Sequence, residues 1–158
     1  MHSRIIELSK EPVDKESRLT ASDIDADSII YHVADYVDDT KEESRQDNIH
    51  YFLKRPGIAV DRKNETVTLE DKTAYFARSY HTMRAAAQKL LQFSLDDFST
   101  ENKTDLSMTM YILKSAYEAD DEVYVSTPIG MYTIDQFVRE YWETGDTYYI
   151  GGIVDYHY

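Results

Sequence analysis

Histidine and carboxylate recur at short spacing in this chain. His32 and Asp35 stand three apart and Asp39 follows four later. Asp47 and His50 are again three apart, and Asp155 and His157 are two apart. Residues three and four apart share one flank of a helix, so the first two groups read as acid–histidine pairs on consecutive helices. Pairs of that kind bind two metals in some helix bundles, where a glutamate precedes each histidine and further carboxylates bridge. Here both pairs use Asp and no bridging carboxylate stands out. The sequence is therefore read as holding no metal and no cofactor, with exposed Asp/His pairs as the plainer meaning. On a strand, Asp155 and His157 face the same way, as an acid–base couple would; a pair near solvent is the plainer reading. His81 flanks an apolar stripe and reads as packing or surface.

Other chemical signatures are missing. The sequence has no G-x-G-x-x-G, no Walker A loop and no H-E-x-x-H, and no G-x-S-x-G elbow. Cysteine is absent, which removes thiolate nucleophiles, disulfides and thiolate metal ligands and fits a reducing, cytoplasmic compartment. MHSRIIELSKEP has no apolar run of the kind a signal peptide needs. No apolar stretch approaches the roughly 18 residues of a membrane span.

Charge is the strongest compositional signal. The 158 residues carry a formal net charge of −13. Residues 1–50 hold 13 acids and 6 bases, residues 51–100 hold 6 and 8, and residues 101–158 hold 11 and 3. Direct binding to a nucleic-acid backbone draws its affinity from Lys and Arg that release counterions, so this composition argues against it. An anionic membrane surface is disfavoured for the same reason. A basic protein partner is favoured, because opposite fields raise the encounter rate. Two acidic groups mark the expected contact surface: Asp35, Asp38, Asp39, Glu42 and Glu43, and then Asp120, Asp121 and Glu122 with Glu118 beside them. Neither has the Gly-centred spacing of a calcium loop. Their plainer meaning is a solvated turn that keeps the protein soluble. Their sharper meaning is imitation of nucleic-acid phosphates, by which an inhibitor blocks a DNA-binding or defence enzyme.

The elements that must position these residues follow from periodicity and breakers. Arg4–Leu8 reads as a strand. Ile29, Val33, Tyr36 and Val37 predict a helix over 26–38. Thr40 with Glu43 has the form of a capping box opening a second helix with Ile49, Phe52 and Leu53, stopped by Pro56-Gly57. Ile58/Val60 and Val67/Leu69 alternate around Arg62-Lys63-Asn64-Glu65, a hairpin. Phe76, Tyr80, Met83, Ala87, Leu90 and Leu91 predict a long amphipathic helix from Asp71 to Phe93. Leu106, Met110, Leu113 and Tyr117 fit another. Val123 and Val125 begin a strand, with a turn at Pro128 and Gly130. Thr133 with Gln136 is another capping box, and its helix carries Ile134, Phe137, Val138, Tyr141 and Trp142, with Gly145 placed as its C-terminal cap. Tyr148–Tyr158 is a final strand, and Gly151-Gly152 predicts a bulge in it.

Hairpins alternate here with helix pairs and not with single crossover helices. This predicts one α+β domain over 1–158, with a mostly antiparallel sheet and about five helices mainly on one face. Tyrosine is unusually common, 14 against 5 Phe and 1 Trp. Tyrosine suits both core edges and interfaces. Three functional expectations follow: an acidic domain binding a basic protein, a small enzyme using Asp, His and Tyr, or a protein self-associating through its tyrosine-rich last strand.

Overall fold

A computed structural model describes residues 2–24, 34–100, 104–118 and 123–158. It contains five α-helices and a seven-stranded, mostly antiparallel sheet. Two compact units are distinguished: Met1–Lys72 with Asp121–Tyr158, and Thr73–Asp120.

The first unit holds the sheet. Its strands are β1 (His2–Ser9), β2 (Tyr36–Asp39), β3 (Ile58–Asp61), β4 (Thr66–Leu69), β5 (Tyr124–Thr127), β6 (Gly130–Thr133) and β7 (Thr147–His157). The order is β3-β4-β7-β1-β5-β6, with β2 also paired to β7. Only β1 and β5 run parallel. The eleven residues of β7 explain how this closes. One side of β7 carries β1 along its length; the other carries β4 at Thr147–Tyr149 and β2 at Val154–His157. A strand paired on both sides is apolar on both faces, and Ile150, Ile153, Val154 and Tyr156 are all buried.

The two faces of the sheet are covered differently. Helices α1 (Arg45–Leu53) and α5 (Ile134–Glu140) lie on the same face. Register aligns Arg4, Ile6 and Leu8 with Asp155, Ile153 and Ile150 there. Arg4 reaches Asn48 of α1 at 3.0 Å, while Tyr148 meets Phe137 of α5 and Trp142 at ring separations of 5.4 and 5.5 Å. Trp142 is fully buried and donates from Nε1 to the Asp146 carbonyl. On the opposite face Ile5, Val154 and Tyr156 pack with Ile24, Leu19 and Ala21 of an irregular segment.

Glycine makes that second cover possible. The register shifts between Ile6 and Leu8, opposite Gly151-Gly152, so the predicted bulge is present. Glu7 places its carboxylate over the two glycines and accepts from the backbone N–H of Gly152 and of Leu19. A Cβ on Gly152 would stand 2.0 Å from the Leu19 carbonyl oxygen, so only glycine permits this approach.

The second unit is helical: α2 (Lys72–Leu90), α3 (Leu95–Ser99) and α4 (Thr104–Glu118). Ser94 and Asp97 form a reciprocal capping box at the start of α3. No helix of the described residues is long and apolar enough to cross a membrane.

Several segments depart from the elements their residue patterns predict. The helix expected over 26–38 does not reach 38: Tyr36–Asp39 is strand β2, and residues 25–33 lie outside the described set. Tyr36 and Val37 suit helical spacing, but β7 offers an edge beyond the end of β4, and there Val37 pairs opposite Tyr156. Thr40 caps nothing; its hydroxyl donates to the Ile153 carbonyl, and α1 starts only at Arg45, after a 3₁₀ turn over Glu42–Ser44. Gly145 is not the cap of α5, which ends at Glu140. It takes φ +94° in the turn into β7, donating to the Leu69 carbonyl. In α4 the buried side is centred on Thr109, while Met110 and Tyr117 are exposed.

Candidate functional site

Three strand segments converge at one end of the sheet: the start of β1, the whole of β2 and the end of β7. Their pairing sets His2 opposite His157, Arg4 opposite Asp155, Tyr36 opposite His157 and Asp38 opposite Asp155. Residues directly opposite share a face, so these polar side chains stand together. Arg4 Nη1 pairs with Asp155. His2 Nδ1 lies 2.9 Å from the other Asp155 oxygen, and His157 Nδ1 lies 3.3 Å from Asp35. A carboxylate only accepts, so each contact requires the proton on Nδ1. The two imidazoles are 5.0 Å apart, and Tyr36 stacks on His157 at 5.1 Å with ring planes 6° apart. The sequence linked Asp155 and His157 by their shared face. The contributions of His2 and Arg4 had no local signal, because both come from a strand more than 140 residues away in sequence.

The first acidic group lies around this cluster, with its members in unequal roles. Asp39 Oδ1 accepts from the Ala21 N–H at 2.6 Å. Glu42 lies 3.7 Å from Arg18, and Asp35 holds His157. Asp38 and Glu43 are exposed, with no hydrogen bond or ion pair among the described residues. Along β2 no second strand pairs on the outer side among the described residues, so these acids mark a sheet edge. Charges on an edge also oppose strand-to-strand aggregation. Asp120, Asp121 and Glu122 lie outside the described residues.

An open cleft of about 180 Å³ adjoins the group, bordered by Lys15, Arg18, Asp39, Glu42, Arg45 and Gly152. Both of its arginines are already engaged in ion pairs. Buried Arg45 donates to both oxygens of Glu65 at 3.0 and 2.9 Å and to the Ile150 carbonyl at 2.8 Å. Arg18 and Gln46 add donors to the same carboxylate. The hydrogen bonds from Arg45, then the nearby cationic charge, hold the Glu65 carboxyl below its ordinary range against the opposing effect of burial. This network fastens α1 and Arg18 to the β3–β4 turn, so the arginine side of the cleft is occupied by structural ion pairs.

The acid–histidine pairs weighed in the sequence are not brought together among the described residues. His32 lies outside the described residues, and Asp47 and His50 are exposed on α1. No group of three or more His, Asp or Glu that would hold a metal ion occurs among the described residues. No family model matches this chain, and neither a curated protein nor a solved structure matches it.

Charge separates by unit. The sheet unit carries 24 acids and 12 bases, a balance of −12; the helical unit carries 6 and 5, a balance of −1.

Proposed function

We propose that the sheet unit is an acidic protein-binding module whose β2 edge engages a basic partner. The observation that carries this reading is the segregation of charge: −12 on one unit against −1 on the other. Acids retained only for solubility have no reason to concentrate on one unit, whereas a concentrated field accelerates encounter with an opposite one. Asp38 on this edge and Glu43 in the turn that follows make no hydrogen bond or ion pair among the described residues, which leaves both open to a partner. A nucleic-acid-binding enzyme or regulator has the matching basic surface, and imitation of phosphates is the form of inhibition this chemistry allows.

The test is Asp38→Asn with Glu43→Gln. Both changes keep side-chain size and remove two charges. Capture from lysate of a basic protein by the wild type, followed by association rates at several salt concentrations, is the measurement. The variant should associate several-fold more slowly, and wild-type association should fall steeply as the screening length shortens to about 8 Å near physiological ionic strength. Equal rates for variant and wild type would make these acids a solvated edge and nothing more.

A second reading rests on the two histidine–carboxylate pairs beside Tyr36, the kind of residues a small acid–base enzyme uses. The described cleft is bordered by other residues, so this reading stands behind the first. A turnover screen comparing wild type with His2→Ala and His157→Ala decides it: activity surviving both changes removes the pairs from any chemistry.

A further inference from the structure

The helical unit exposes far more apolar side chain than its own fold requires. At about 100° per residue, the buried centre of α4 is Thr109, with Leu106, Leu113 and Ala116 partly buried around it. Met108 and Ile112 flank this centre on one side, and Met110 and Tyr117 flank it on the other; all four are exposed. The apolar positions therefore spread over roughly 200°, about twice the width of a single buried face, with Asp105 standing among them. Tyr111 adds a further exposed ring at 59%.

Leu91, Leu95 and Phe98, between α2 and the end of α3, are exposed at 87%, 82% and 71%. Taking about 200 Å² for a large side chain, the exposed fractions of these eight residues come to roughly 1,000 Å². A standard interface buries about 800 Å² per partner, and the apolar side chain exposed over the whole unit is of that order.

We infer that this unit pairs with the same unit of a second copy of the chain, with the flanks of α4 at the centre of the interface. Charge selects that occupant. With a balance of −1, the helical unit neither attracts a strongly charged partner nor repels its own copy, while at −12 two sheet units repel each other. Two copies meeting through their helices bring the neutral surfaces together. A two-fold arrangement suits this, because it uses the same patch twice and closes without growing into fibres. The last strand, which the sequence offered as the self-association element, is already paired to β1 on one side and to β4 and β2 on the other, and its Tyr148 and Tyr156 are buried.

The full chain should sediment at about twice its 18.4 kDa mass at micromolar concentration. Added salt should leave the dimer intact or strengthen it by screening repulsion, the opposite of its effect on the acidic edge. Met108→Glu with Tyr111→Glu, both at exposed positions, should halve the mass. So should Met108→Lys with Tyr111→Lys. An equimolar mixture of the two variants should restore the double mass, which unfolded variants cannot do. Asp38→Asn should leave the mass unchanged. A wild type that stays monomeric up to about 100 μM, where a dimer held by only about 5.5 kcal/mol is already well populated, would overturn the inference. So would dimers that survive both charged variants, or variants that fail to pair when mixed. None of these results depends on whether the acidic edge captures a partner.

Discussion

The carboxylate of Glu7 accepts a hydrogen bond from the backbone N–H of Gly152 at 2.7 Å, and from that of Leu19 at 2.8 Å. One side chain thus ties β1, the bulge of β7 and the 10–24 segment together. Gly152→Ala would push a methyl into the Leu19 backbone, which cannot yield as a flexible side chain does. Destabilisation of about 2–4 kcal/mol is expected, at or above the usual range for overpacking. Glu7→Ala should cost about 2–3 kcal/mol by leaving two part-buried donors unmatched. Urea midpoints at unchanged m-value are the measurement, and a wild-type midpoint for Gly152→Ala would show that the segment does not rest on the glycine.

Glu65 supplies a pH dependence. It sits in a left-handed conformation (φ 49°) at the hairpin turn, a position costly for a non-glycine residue, and there it receives Arg45, Arg18 and Gln46. Its folded pKa is lowered, chiefly by the Arg45 hydrogen bonds, from an ordinary value of 4.5. A lowered folded value means that the unfolded chain binds the proton first. The stabilisation is therefore complete above about pH 4.5–5 and is lost as pH falls through the lowered value. Glu65→Gln should cost roughly 2–4 kcal/mol at neutral pH, because it leaves buried Arg45 without its counter-charge. The variant should also lose less stability on acidification than the wild type. Thermal melts from pH 7 to pH 3 test both expectations; parallel pH curves would remove Glu65 as a source.

Local chemistry made most of the fold legible. The β3–β4 hairpin announced itself by alternation, and its turn is built as that chemistry requires, with Asp61 accepting from Lys63 and Asn64. The Thr133/Gln136 capping box is present. What failed was decided by distant partners. Val37 belongs to a strand only because β7 is long enough to carry both β4 and β2. Thr40 abandons its cap for a carbonyl 113 residues away. The acidic group was legible as a group, but not its division into Asp39 and Glu42, which hold structure, and Asp38 and Glu43, which do not. That division depends on Ala21 and Arg18 arriving on the same face.

Trp142 tests the core between α5 and the sheet. Its ring is fully buried against Phe137 and Tyr148, and its N–H is satisfied by the Asp146 carbonyl. Trp142→Ala should cost about 3–5 kcal/mol. Trp142→Phe should cost less, since it keeps an aromatic ring and loses one hydrogen bond and part of the volume. Denaturant unfolding of both variants reads the difference; equal costs would show that the site collapses around either residue.

Asp38 and Asp39 are adjacent on one strand, yet their side chains have different tasks. Strand geometry sends them to opposite faces. Asp39 turns toward the 18–24 segment and accepts from the Ala21 N–H at 2.6 Å. Asp38 stands opposite Asp155 on the face of the histidine cluster, where it adds negative charge beside a carboxylate. Asp39→Ala should therefore cost about 1 kcal/mol, the usual loss for a side chain that caps a backbone donor, and Asp39→Asn less, since its amide oxygen still accepts. Asp38→Ala should change stability by no more than about 0.5 kcal/mol, with a gain expected because repulsion from Asp155 falls. Capture of a basic partner should follow the reverse order: weakened by Asp38→Asn through slower association, and affected by Asp39→Asn less, because that carboxylate is engaged within the fold. Chemical denaturation and association rates measured on the same four proteins separate the two roles. Loss of binding that tracks loss of stability across the set would mean that the edge is recognised for its shape and not for its charge.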